Sequence, residues 1–189
     1  MTAPAGAVVE AAQRFLAGFD GIDAAFVYGS VAHGTARPDS DVDLFLVTVA
    51  ELAPDLRNRL LAGAAQLQRT LGYEPDPAHP VEVFSAARCV DALTGPLVLR
   101  ATHMAACGNP IDRITLDSDD LEILRALHDR RLPVRTSPVL DSLTTLAHRQ
   151  VTAAAHRLDV PTGRVLAGIG LAPALNTPHV TVPDQEDLT

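Results

Sequence analysis

The spacing of apolar residues changes period along the N-terminal half of the chain, and each change marks an element. Val8, Ala12, Phe15, Leu16 and Phe19 recur at helical spacing, which predicts an amphipathic helix over Val8 to Phe19, stopped by Gly21. Ala24 to Tyr28 is a short apolar run ending at Gly29-Ser30. Val42 to Val49 is a β-rich run introduced by Arg37-Pro38-Asp39-Ser40. Two strands joined by a polar, glycine-containing connection are expected. Leu52 to Leu71 returns to helical spacing, and Pro75, Pro77 and Pro80 break it before a third strand, Val81 to Phe84.

The remainder reads as helical. Ala86 to Cys107 divides around Gly95-Pro96, and Gly108-Asn109-Pro110 signals a turn. Asp119 to Arg131 and Pro138 to Leu158 are predicted as helices joined by a linker from Pro133 to Pro138, with a short helix from Thr162 to Leu171. Ala172 to Thr189 carries Pro173, Pro178, Pro183 and an acidic end, and reads as a flexible tail. Three regions are therefore expected: residues 1–117 as the main domain, 118–171 as a helical extension, and 172–189 as the tail.

Composition narrows the function classes. At 189 residues and 47% hydrophobic content the chain can bury a real core. A formal charge of −8 argues against binding nucleic acid by overall electrostatic attraction. Cys89 and Cys107 form no zinc-type pattern, and a reduced cytoplasm is the simplest compartment. The N-terminus has no basic start followed by a long apolar run, so neither a signal peptide nor a membrane span is expected.

The chemistry is concentrated between Ala25 and Val47: a strand, Gly29-Ser30, ten intervening residues, then Asp41-Val42-Asp43 opening the next strand. Alternation along a strand would aim Asp41 and Asp43 the same way, with Cα atoms roughly 6.5 to 7 Å apart. Two such like charges on a half-buried strand are costly unless a cation neutralises them. Magnesium suits oxygen ligands and accepts phosphate and water in its remaining positions. Gly29 permits close backbone approach, and Ser30, at the start of a predicted helix, offers its hydroxyl and neighbouring N–H groups to a phosphate. A third carboxylate is wanted beside them. Glu82 is the acid embedded in an apolar strand, and pairing of that strand with Val42 to Val49 would bring it to the face of Asp41 and Asp43, opposite Val42, Leu44 and Leu46. Asp76 in the proline-rich loop is the fallback.

This Gly-Ser, ten residues, Asp-x-Asp pattern resembles the minimal nucleotidyltransferase group of the DNA polymerase β superfamily, over roughly Val8 to Leu116. The resemblance implies an α+β fold: a small mixed β-sheet with helices packed on one face, followed by the C-terminal helical extension. It implies that Gly29, Ser30 and Ser40 bind a nucleoside triphosphate, ATP above all, and that Asp41, Asp43 and Glu82 hold one or two magnesium ions, with manganese as a substitute, and carry the reaction. The implied reaction moves a nucleoside monophosphate, AMP above all, to a hydroxyl acceptor and releases pyrophosphate. The acceptor is open. It could be a side chain of a HEPN-type protein in a toxin–antitoxin pair, a small molecule of the aminoglycoside type, or a tRNA end.

Other residues allow plainer readings. His33 is either a phosphate-loop contact or a solvated turn residue, and Arg37 either meets phosphate or pairs with Asp39. Arg149 and His156 are seven positions apart, two helical turns, and so share a face. Their spacing is similar to the Arg-to-His motif of HEPN ribonucleases, in a segment too short for that fold. Residues 138–171 faintly resemble a helix-turn-helix, but Asp159 stands where glycine is preferred. From Asp119 to Gly170 seven arginines face six acids, a weak charge for a DNA-binding surface. A catalytically silent binding module or antitoxin is the alternative of a different class.

Overall fold

The computed structural model describes residues 2–108 and 114–171. The tail expected from Ala172, and the turn signal beyond Gly108, lie outside the described residues. The main elements follow chain order as α1 (Ala5–Leu16), β1 (Ile22–Val27), α2 (Gly29–His33), β2 (Leu44–Thr48), α3 (Pro54–Thr70) and β3 (Glu82–Ser85). These are followed by α4 (Ala86–Ala92), α5 (Pro96–Cys107), α6 (Ser118–His128), β4 (Leu132–Arg135), α7 (Pro138–Leu158) and α8 (Thr162–Gly168).

The four strands form one mixed sheet in the order β3-β2-β1-β4. β1 runs antiparallel to both β2 and β4, whereas β2 and β3 are parallel, with Phe45 opposite Glu82. A parallel pair needs a crossover, and α3 supplies it.

β2 is buried along its whole length, so its alternating side chains feed two cores. Leu44 and Leu46 join Val8, Leu16, Leu60 and Val83 beneath α1 and α3. Phe45 and Val47 join Phe26, Phe84, Leu97, Leu124 and Val151 in the larger core built with α4 to α8. Helices α1 and α3 thus pack on one face, as expected, and the second face is covered by the later helices. Where α1 meets α3, Gly63 faces the Phe15 ring, and a Cβ there would come within 2.6 Å of a ring carbon.

Two local expectations are corrected. The helix expected to reach Arg131 ends at His128, and the linker expected over Pro133 to Pro138 contains β4. Proline hid this strand from sequence reasoning. Pro133 is tolerated because β4 lies at the sheet edge, where a missing N–H breaks no inner ladder. The split of Ala86 to Cys107 at Gly95-Pro96 occurs as expected, with proline in the first turn of α5.

Candidate active site

Asp41 and Asp43 stand immediately before β2 rather than inside it. Their common direction comes from the residue between them. Val42 is buried with Val81 and Val83 in the core under α1 and α3, so its neighbours on either side turn away from that core. Both aspartates line a cavity of about 310 Å³, together with Tyr28, Asp76, His79, Glu82, Asp119 and Glu122.

Buried Gln68 on α3 holds the two acid-bearing segments together. Its Oε1 accepts from the Val42 N–H at 2.8 Å, and its Nε2 donates to the Pro80 carbonyl at 2.7 Å. One side chain therefore aligns the loop carrying Asp41 and Asp43 with the start of β3. Glu82, opposite Phe45 in the parallel ladder, projects to the same side of the sheet as Phe84 and faces the cavity, while Val81 and Val83 point away.

The Gly29-Ser30 turn sits directly against Asp43. Gly29 has φ 63°, and a Cβ there would fall 1.9 Å from Asp43 Oδ2, so only glycine allows this approach. Ser30 Oγ is buried and has no hydrogen-bond partner among the described residues. An orphaned hydroxyl beside a carboxylate is costly in an isolated chain, and a polar ligand would satisfy it. Ser40 is used otherwise: its Oγ accepts from the Arg37 N–H at 2.9 Å and closes the loop, and it is not among the cavity-lining residues. His33 is turned toward Asp129, with Nε2 2.5 Å from Oδ1.

The electrostatics are one-sided. Six lining residues are acids, Asp41, Asp43, Asp76, Glu82, Asp119 and Glu122, and the basic lining residue is His79, 3.3 Å from Glu82. Burial, then Asp41 and Glu122, push Asp43 up to about 7, only partly offset by a Ser30 backbone hydrogen bond. Burial likewise raises Glu82 above the usual carboxylate range, against the pull of His79. Tyr28 is driven strongly upward by burial and by Glu122, so its hydroxyl stays protonated and donates to Glu122 Oε1 at 2.5 Å.

Among the described residues no three acid, histidine or cysteine side chains are drawn into a metal cage. The donor chemistry nevertheless suits a hard divalent cation. The donors are carboxylate oxygens, they repel one another, and the rest of such a cation's shell can be water or phosphate.

Sequence reasoning did not find Tyr28, His79, Asp119, Glu122 or Asp129. Glu122 and Asp129 are remote in sequence from the Gly-Ser turn, and Glu122 sits in an ordinary amphipathic helix whose buried positions are Asp120, Ile123, Leu124, Ala126 and Leu127. No local pattern distinguishes it from a solvated helix charge. Arg149 and His156 do share one face of α7, along a shallow groove with His148 and Thr152 that lies away from the acidic cavity.

Residues 10–79 match the model of a family described as Polymerase beta, Nucleotidyltransferase. That segment is similar to a nucleotidyltransferase domain of the family, and it contains the Gly29-Ser30 turn and both aspartates. No curated protein matches the chain. Among the solved structures that match is a toxin–antitoxin with AMP-PNP, at 12% identity and a TM-score of 0.40, covering 78% of this chain and 87% of that one. Another is a mutant of the toxin–antitoxin MntA-HpeT, at 9% identity and a TM-score of 0.38, with the same coverages. Likeness at that level carries nothing further to this chain. Among the described residues no helix is long and apolar enough to cross a membrane.

Proposed function

We propose that this domain transfers a nucleoside monophosphate, AMP in the first instance, from a nucleoside triphosphate to a hydroxyl acceptor. The acceptor hydroxyl gives up its proton to a site carboxylate or to water, its oxygen bonds to the α-phosphorus, the bond to the bridging oxygen breaks, and pyrophosphate leaves. Asp41, Asp43 and Glu82 would hold magnesium, which when bound supplies charge neutralisation at the phosphates. Gly29 and Ser30 receive the triphosphate, the glycine by letting the chain pass close to Asp43 and the serine through its unpartnered hydroxyl.

The observation that carries this reading is the shared cavity. Asp41, Asp43 and Glu82 come from two segments and face one acidic space, with no arginine or lysine among the described residues that line it. A purely structural cluster would be neutralised from within by a cation; here the crowding of acids and burial instead push Asp43 up to about 7, the kind of perturbation found at functional sites. For the acceptor we favour a protein side chain, on the resemblance of the Gly29-to-Asp43 pattern to the minimal group, with a HEPN-type partner as the first to test. Aminoglycoside-type or tRNA acceptors would use the same acids with a different second wall.

Incubation with magnesium and α-labelled ATP in the presence of candidate acceptors tests the reading. The wild-type chain should label an acceptor, and Asp41→Ala combined with Asp43→Ala should reduce labelling by on the order of 10³-fold or more, with the helical signal unchanged. Full labelling by the double variant would discard the carboxylates. A silent binding module predicts instead that no triphosphate is consumed and that the double variant still neutralises its partner.

A further inference from the structure

The Gly29 N–H is already occupied by an anion of the chain itself. It donates to Asp129 Oδ2 at 3.0 Å, while Asp129 Oδ1 lies 2.5 Å from His33 Nε2 and accepts from the Arg130 N–H at 2.7 Å. The pairing of β1 with β4 explains how a remote residue reaches the turn. Val27 stands opposite Leu132 in an antiparallel ladder, so the segment just after Val27 and the segment just before Leu132 lie side by side. The Asp129 side chain is only 18% exposed, and His33 and the Arg130 amide hold it in place. Next to it Ser30 Oγ remains unpartnered, so the carboxylate meets only part of the turn's hydrogen-bonding capacity.

We propose that Asp129 is a specificity-determining residue of the triphosphate cradle: its carboxylate competes for the Gly29 N–H, so that only a highly charged anion such as a polyphosphate displaces it. This inference rests on the reading of Gly29 and Ser30 as the cradle. A tethered carboxylate acts at high effective concentration, and a weakly charged anion from solution gains too little to replace it. A polyphosphate brings several charges and acceptor oxygens at once. It takes the Gly29 N–H and can also satisfy the Ser30 hydroxyl, which Asp129 leaves unpaired.

Calorimetric titration of the full chain with ATP, and separately with inorganic pyrophosphate, provides the test without any knowledge of the acceptor. Asp129→Asn keeps the shape and removes the charge, and should bind both ligands about tenfold more tightly than wild type. Asp129→Ser gives a second version should the asparagine hold the turn too well. Asp91→Asn removes one negative charge on α4, outside the cavity lining, and should change binding less than twofold. Equal gains from the Asp91 and Asp129 variants would overturn the proposal, since net charge alone would then act. Unchanged or weaker binding by both Asp129 variants would overturn it while leaving the nucleotide reading intact. Tighter pyrophosphate binding with no ATP binding in any variant would support the role of Asp129 and discard the nucleotide reading.

Discussion

Two acid clusters that meet at Asp119 are treated in opposite ways in this fold. Around α6, Asp117, Asp119 and Asp120 converge on one arginine: Arg88 Nη2 lies 2.7 Å from Asp120 and 3.8 Å from each of the other two. The guanidinium is held charged by its hydrogen bond to Asp120 and the surrounding acids, which outweigh its partial burial. Around the cavity, among the described residues, Asp41, Asp43 and Glu122 have no such cation, and Glu82 has only His79 and the more distant pull of Arg57. The first cluster is finished within the chain and serves stability. The second has no such internal cation among the described residues, which is why a divalent cation is proposed for it.

The contrast can be broken at several points, and the largest expected effect is at Asp43. Its folded-state pKa of about 7 lies above the ordinary 3.8, so between those values the folded chain holds a proton that the unfolded chain has released. Stability from this group is greatest at low pH and is lost as pH rises toward 7. In chelator, urea unfolding should show Asp43→Asn gaining on wild type as pH goes from 5 to 8, reaching a few kcal/mol. Magnesium at pH 8 should then stabilise wild type and leave the variant unmoved. Parallel stability curves across that range would mean that Asp43 carries no such charge penalty.

Removing the cation of the finished cluster should do the reverse. Arg88→Ala leaves Asp120, largely buried, without its partner, and should cost about 2 kcal/mol near neutral pH, discounted for the partial exposure of the arginine. The measurement is the same unfolding midpoint. A stable Arg88→Ala chain would show that these acids need no internal cation.

The smallest effect is at the helix cap that adjoins this cluster. Asp117 accepts from the Asp119 N–H at 3.1 Å at the start of α6, and Asp117→Ala should cost about 1 kcal/mol. Because α6 carries Glu122, nucleotide binding should be examined in the same variant. A change in affinity larger than the stability loss explains would tie the cap to the cavity.

Much of this protein was legible in local sequence because local physics sets it. Helical spacing of apolar residues located α1, α3 and α7, and the glycine and proline signals divided α4 from α5. The Gly29-Ser30 turn and the Asp41-Val42-Asp43 triplet stood out because one short stretch carries both, and Glu82 because a charge in an apolar strand needs a reason. What no stretch of sequence could state is adjacency across the fold. β4 was concealed by Pro133, whose tolerance depends on the strand being at an edge, and an edge exists only once the sheet is assembled. Gln68 reads as one more polar residue of a helix until its amide is seen bridging Val42 and Pro80. Glu122 and Asp129 reach Tyr28 and Gly29 because β4 docks on β1 and α6 precedes it, a long-range pairing that fixes which charges share a space. Periodicity and backbone preference act over a few residues and can be read in order. Electrostatic energy depends on distance in space, and only the tertiary structure decided that.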